Sequence, residues 1–341
     1  MARIMLADAV VEYLAFRASR GDAANTIKNH GQVLRKAIAA WGGDTVLSNI
    51  GPRHISILYS QNDWGASTRN LYRSNLAGFF KWARSCRYMP RDSDPLEAWG
   101  NVRVPQVEKF RVPVARFPEL LDAARHPRDR MVVALGLFTF SRGSEISAIQ
   151  IKDVDLHGFE IRIYRQKTKQ EDRIPISSEL REELNRYLAW YRAKHGILQD
   201  DWFLVPAKER VPWEPGPSGK LVPPLSPAPL KPTVREGKPY RAVQRALRAL
   251  GLPITGQGNH TLRRSGARAL ADHLRGEGYD GVLSRVGSMM GHESIKNTEN
   301  YIGWQLDRTQ RNEAIAGKPM FPELPFDTTA VVSPLRRLMG G

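Results

Sequence analysis

Between residues 158 and 177 the spacing of apolar side chains changes from three-to-four residues to two. The stretches GFEIRIYRQ and RIPIS alternate, with Ile161, Ile163, Ile174 and Ile176 as the apolar members of two short strands. The polar QKTKQED between them reads as a hairpin tip. Nearly everywhere else apolar residues recur at helical intervals. An isolated hairpin is marginal in water, so helices must cover its apolar face. The fold class that follows is mainly α with a small antiparallel β-sheet.

The helical part divides in two. Residues 6–20 carry Leu6, Val10, Tyr13, Leu14 and the stem of Arg17 on one face, and Gly21 ends the segment. Asn25 is the expected cap of a second helix with Ile27, Val33, Leu34, Ala37 and Ile38 inward. A short helix follows Pro52, which suits a first-turn position. Residues 66–87 give a fourth, with Leu71, Leu76, Phe79, Phe80 and Ala83 as its core face and Arg69, Arg73, Lys81, Arg84 and Arg87 supplying charge. Cys86 reads as a small half-buried residue on that helix. Residues 1–99 therefore form an all-helical unit. Pro105 and Pro113 then oppose helix, so 100–116 reads as a basic interdomain linker. Its Arg103, Lys109, Arg111 and Arg116 could follow a phosphate backbone.

Helical periodicity resumes at 117–125 and at 128–139, the latter apolar enough to be buried, and a further helix follows Arg142. After the hairpin, 178–195 is helical. Residues 206–239 are rich in proline, glycine and charge and read as a long insertion with local extended structure. Helices return at 240–250, 261–275, 280–290 and 294–302, and 304–341 forms a tail.

Composition restricts the function. The 341 residues hold 51 Lys and Arg against 35 Asp and Glu, a net charge of +16. Such an excess favours a polyanionic partner, because each Lys or Arg contact to a phosphate releases condensed counterions. The single cysteine excludes an intrachain disulfide and any zinc site that needs a cysteine pair. No apolar run reaches the roughly 18–20 residues that span a bilayer, so no membrane partner is expected and the cytoplasm is the default compartment.

Three short motifs carry candidate chemistry: Ser141-Arg142-Gly143-Ser144-Glu145, His260-Thr261-Leu262-Arg263-Arg264, and the run from Gly291-His292 to Tyr301. Cleaving a phosphodiester without a metal needs an oxygen nucleophile, positive charge around the phosphorane and a proton for the leaving oxygen. Arginine stays charged and grips two oxygens in a fork. Histidine and lysine can move protons. A tyrosine hydroxyl, with a pKa near ~10, needs a base or a cationic site before it attacks. The remaining histidines read otherwise. His54, His126, His157, His195 and His273 read as surface residues, and His30 as a solvated residue of a basic helix. Asp153 and Asp155 suit turns better than metal binding, and Trp304 suits packing.

In this order the motifs resemble the tyrosine recombinases, or phage integrases, over most of the chain. FTFSRGSEISAIQIKDVDL is similar to the family's first-arginine box, HTLRR to its His-x-x-Arg box and MGHESIKNTENY to its last box. Arg264 stands where many members carry a second histidine, and Gly143 fills a usually bulkier slot. The resemblance implies a site-specific DNA recombinase built as a two-domain DNA clamp. Residues 1–99 would be a core-type DNA-binding domain, 117–303 the catalytic domain and 304–341 a segment docking on a neighbouring protomer.

By the same resemblance Tyr301 would form a 3′-phosphotyrosine. Arg142 and Arg263 would hold the phosphate, and His292 would add a hydrogen bond. His260 would assist proton transfer, with Glu145 supporting the site. Lys167, eight residues before Pro175, would protonate the leaving 5′-oxygen, with Lys169 as its rival. Arg69, Arg73, Arg84, Arg103, Lys109, Arg111, Lys169 and Arg264 are the expected further DNA contacts. No cofactor, metal or ATP is implied. The implied partners are double-stranded core sites, a homotetramer on DNA and a directionality factor, in the nucleoid of a prokaryotic cell. Integration or excision of a phage or mobile element is the expected role. Xer-type resolution and type IB topoisomerase-like nicking and closing are the alternatives. Because the core-binding pattern begins near residue 6, action without distal arm sites is expected.

Overall fold

The computed structural model describes residues 3–105, 107–165, 168–209, 211–212, 214–215, 221–222 and 228–303. Lys167, Trp304 and the 304–341 tail lie outside them. The chain forms two compact units, divided between Val107 and Glu108. Mainly helical structure with small antiparallel sheets is what the periodicity predicts. Among the described residues no helix is long and apolar enough to cross a membrane.

The first unit contains α1 (Leu6–Ser19), α2 (Ala24–Trp41), α3 (Pro52–Ser60) and α4 (Ala66–Ser85). Its core is aromatic: Tyr13 meets Phe79 and Trp82 at 5.3 Å between ring centroids. Helix α2 starts earlier than expected, with Ala23 rather than Asn25 at the cap and no side-chain cap bond. Leu71, expected on the core face, is 52% exposed, while Leu76, Phe79, Phe80 and Ala83 are buried as expected. Cys86 is exposed, just past the end of α4.

His30 is not solvated. It is buried edge-on against Tyr13, and burial, aided by the Arg17 charge, lowers its pKa. Arg69, Arg73 and Arg84 turn back on the fold and donate to the carbonyls of Trp64, Trp99 and Ser93.

The second unit begins with α5 (Phe117–Ala123), α6 (Pro127–Phe138) and the short α7 (Gly143–Ile146). A sheet follows, of β1 (Val154–Asp155), β2 (Glu160–Arg165) and β3 (Gln170–Pro175), antiparallel in that order. Ile161 pairs with Ile174, so the alternating isoleucines face the helices as expected. The hairpin tip is shorter than QKTKQED suggests. Gln170, Glu171 and Asp172 already pair with Arg165, Tyr164 and Ile163. An edge strand tolerates such polar residues. Asp153 and Asp155 accept backbone N–H groups at turns, as read from the sequence.

Helix α8 (Ser178–His195) starts where Ser177 accepts the N–H of Leu180. The insertion contains two antiparallel pairs, β4 (Pro206–Lys208) with β7 (Leu230–Arg235) and β5 (Glu214–Pro215) with β6 (Leu221–Val222). Then come α9 (Tyr240–Ala249), α10 (Asn259–Gly276), α11 (Val282–Met290) and α12 (Ile295–Ile302).

Helices α6 and α10 approach so closely that a Cβ on Gly266 would collide with the Leu137 carbonyl. His126 departs from its surface assignment. It caps α6, packs edge-on against Trp190, and burial followed by the Lys208 charge pushes its pKa down to about 4.

Candidate active site

Helix α10 presents His260, Arg263 and Arg264 on one side, since residues three and four apart are neighbours on a helix. Helix α12 carries Tyr301. The chain reaches it by a sharp turn: α11 ends at Met290, Gly291 takes the left-handed conformation at φ 63°, and Ser294 caps α12 by accepting the N–H of Asn297. That turn places His292 beside the ring of Tyr301, 5.5 Å between centroids.

His260 Nδ1 lies 2.8 Å from the Tyr301 hydroxyl, and the His260 carbonyl is 3.3 Å from it. Burial, then the charges of Arg263, Arg264 and Arg142, hold the His260 pKa below its ordinary value. The imidazole is thus neutral at physiological pH and able to accept the phenolic proton. Burial raises the Tyr301 pKa, while Arg263, Arg264 and Arg142 oppose that rise. The hydroxyl therefore stays protonated until a base takes the proton.

Arg263 is almost wholly buried. Its Nη1 donates to the carbonyl of Phe140, a residue in the left-handed region at φ 51°. Its Nη2 donates to Met290 at 2.6 Å and lies 3.2 Å from His292 Nε2. Arginine only donates, so that nitrogen accepts here, and His292 Nδ1 meets Thr298 Oγ1 at 3.1 Å. The Arg263 guanidinium carbon stands 5.5 Å from the Tyr301 ring centroid. Burial, partly offset by Tyr301, lowers its pKa to about 10.

Arg142 sits just before α7 and is part-exposed. Glu145, one turn on, accepts its backbone N–H at 2.6 Å and its Nη1 at 2.8 Å. Burial would raise the Glu145 pKa, but the Arg142 N–H and the Arg165 and Arg142 charges outweigh it and keep the group ionised. A small concavity bordered by Arg142, Arg165, Thr168, Gly291, His292 and Asn297 opens here. Glu293 lies on the same rim, so both signs of charge border the concavity. Gly143 now has a reason: a Cβ would press on Asn259 and Pro239, which approach it within 3.3 Å.

Five sequence candidates, Arg142, His260, Arg263, His292 and Tyr301, thus lie together with Glu145. Lys169 is exposed at the hairpin tip with φ 55°. Arg103 and Lys109 are exposed. Arg111 is tied to Glu108 and to the Ile302 carbonyl. Arg264 is buried rather than presented to solvent.

Two residues escaped the sequence reading. Arg165 bridges Glu145 at 2.9 Å, Asp172 at 3.0 Å and the Met289 carbonyl at 2.6 Å, tying the hairpin to the site. Thr298 orients His292. Strand parity with Ile161 and Ile163 could have shown Arg165 pointing inward.

The fold matches solved structures of DNA recombinases. A lambda integrase dimer bound to a COC′ core site superposes with a TM-score of 0.64 at 18% identity, covering 88% of this chain and 77% of that one. The Tn1549 transposon integrase in complex with a circular intermediate DNA gives 0.59 at 16% identity, over 90% and 99%. The XerH site-specific recombinase bound to palindromic difH substrate gives 0.58 at 18%, over 86% and 80%. No match was found among curated proteins. Comparison with protein-family models matches residues 112–306, more than half of the chain, to the phage integrase family. The protein belongs to that family, the tyrosine recombinases.

Proposed function

We propose that this site-specific DNA recombinase cuts and rejoins DNA core sites through Tyr301. The observation that carries this reading is the 2.8 Å contact between His260 Nδ1 and the Tyr301 hydroxyl, set among guanidinium groups. The Tyr301 oxygen attacks the scissile phosphorus as its proton passes to His260. The bond from phosphorus to the 5′-oxygen breaks, leaving a 3′-phosphotyrosine, and Lys167 supplies the proton to the departing oxygen. Arg142 and Arg263 stabilise the charge that develops on the non-bridging oxygens.

Thr298 Oγ1 can donate as well as accept. It therefore fits the resting tautomer, whose Nε2 accepts from Arg263, and equally the one that would offer Nε2–H to phosphate. The ester conserves the bond energy, so rejoining needs neither ATP nor a metal.

The lambda integrase tetramer bound to a Holliday junction supports a tetrameric synapse as the working assembly. The 304–341 tail is the segment we assign to docking between protomers. Integration or excision of a mobile element at core sites is the reading we favour. A directionality factor and a nucleoid location belong to the same proposal.

A suicide duplex nicked beside its core site tests the chemistry. Wild type traps a covalent adduct, and Tyr301→Phe abolishes it; persistence of the adduct in that variant defeats the assignment. A 5′-phosphorothiolate leaves without a proton, so it rescues Lys167→Ala. Rescue of Lys169→Ala instead transfers the role to Lys169.

A further inference from the structure

We propose that Arg264 is a positioning residue for the nucleophile: a second guanidinium against the Tyr301 ring, anchored by the Phe110 carbonyl, that favours the phenolate over the phenol. The inference rests on Tyr301 being the attacking group, and it departs from reading Arg264 as a DNA contact.

The geometry carries it. The guanidinium carbons of Arg263 and Arg264 stand 5.5 and 6.0 Å from the Tyr301 ring centroid. Arg264 is only 7% exposed, too enclosed to lie along a DNA backbone. Its Nη2 donates to Phe110 O at 3.2 Å, and its buried Nε has no hydrogen-bond partner. Among the described residues no carboxylate pairs with it. A buried cation without a counter-charge is costly, and the cost falls when an anion forms beside it. Tyr301 is the group next to it that becomes anionic.

The anchor is itself held in place. Val112 N–H donates to Ser265 Oγ at 2.9 Å, and Arg111 Nη1 donates to Ile302 O at 3.1 Å. The segment 110–112 therefore binds both the helix that bears Arg264 and the end of the helix that bears Tyr301.

Every charged group around the phenol bears on its ionisation. His260, Arg263 and Arg264 face it from α10, His292 from the turn after α11, and Arg142 from the start of α7. Glu299 lies on α12 itself, and Arg111 lies at the end of that helix. Burial raises the Tyr301 pKa, and Arg263, Arg264 and Arg142 oppose it in that order. Arg264 in turn is lowered by burial and raised by Tyr301, so the coupling runs both ways.

The test needs no DNA. 3-Fluorotyrosine is placed at position 301 of the full chain, and its ionisation is followed by fluorine NMR across alkaline pH. Removing a unit charge near ~6 Å should raise the midpoint by about 0.5–2 pH units in Arg264→Gln. Arg264→Met, which keeps the bulk without the charge, should give the same rise, and Arg264→Lys should retain most of the wild-type midpoint. An unchanged midpoint in either neutral variant that melts like wild type overturns the proposal, as does an equal rise in Arg264→Lys. If adducts formed in Tyr301→Phe, the nucleophile assignment would fail while this titration still read the coupling, so the two failures are separable.

Discussion

Arg128 at the start of α6 and Arg263 on α10 are both almost fully buried, yet their charges are met differently. Arg128 reaches two carboxylates directly, Asp129 at 2.7 Å and Glu236 at 2.5 Å. Burial lowers its pKa, but those two anions outweigh it and the net shift is upward. Arg263 spends its donors on the neutral carbonyls of Phe140 and Met290, with Glu145 no nearer than 3.9 Å. Its pKa falls to about 10. A buried guanidinium with complete pairing holds parts of the fold together, here α6 to the end of the insertion. One whose hydrogen bonds go to neutral acceptors, here two carbonyls and the His292 ring, keeps charge that no close carboxylate offsets.

The contrast can be broken most forcefully at Arg128. Arg128→Gln removes the buried cation that Asp129 and Glu236 share, leaving Asp129 to Arg245 and Lys208, and should cost up to ~3–5 kcal/mol of stability. Denaturant midpoints measure this, while adduct formation per folded molecule should hold. A loss of cleavage at unchanged stability would reverse the two roles.

Arg263→Gln should slow adduct formation by ~10²–10³-fold, the usual cost of one charge-stabilising donor. Its denaturant midpoint should move by less than half as much as that of Arg128→Gln. Equal destabilisation of the two variants would erase the distinction.

His126 sharpens the comparison from the Arg128 side. Its ordinary pKa is 6.5, and in the fold it drops to about 4. The unfolded chain therefore binds the proton first as pH falls. The His126 contribution is fully present above pH 6.5 and is lost progressively down to about pH 4. Between pH 6.5 and 5 the loss should be at most about 1.5 kcal/mol, since solvent around the half-buried ring screens part of the shift. Melts at those two pH values check it, and His126→Asn should flatten the difference.

Thr298→Val tests the Arg263 side with the smallest effect. Weakening the His292 orientation should slow adduct formation about fivefold, the value of one hydrogen bond of ~1 kcal/mol.

Much of this is legible in the sequence because local signals mark it. The period change at 158–177 finds the hairpin, and Gly291 with Ser294 marks the turn that carries His292 toward Tyr301. Arg263 and Arg264 are adjacent in sequence, and only α10's packing shows that neither reaches solvent freely. The pairing of β4 with β7 leaves no periodic trace, since its partners lie more than twenty residues apart. Asn25 misleads because a good capping residue does not cap when the helix starts upstream of it. His30 misleads because basic neighbours in sequence say nothing of Tyr13, which covers it from another helix.

The contact between Gly266 and the Leu137 carbonyl involves no side chain that can yield. It acts as a hard stop between two rods. How far α10 can roll or slide on α6 is set there, within a turn of Arg263 and two of His260. The clearance of the reacting groups is thus gauged by a residue with no chemistry of its own. A single added methyl group at position 266 would be enough to open the gap and throw every donor on α10 out of alignment.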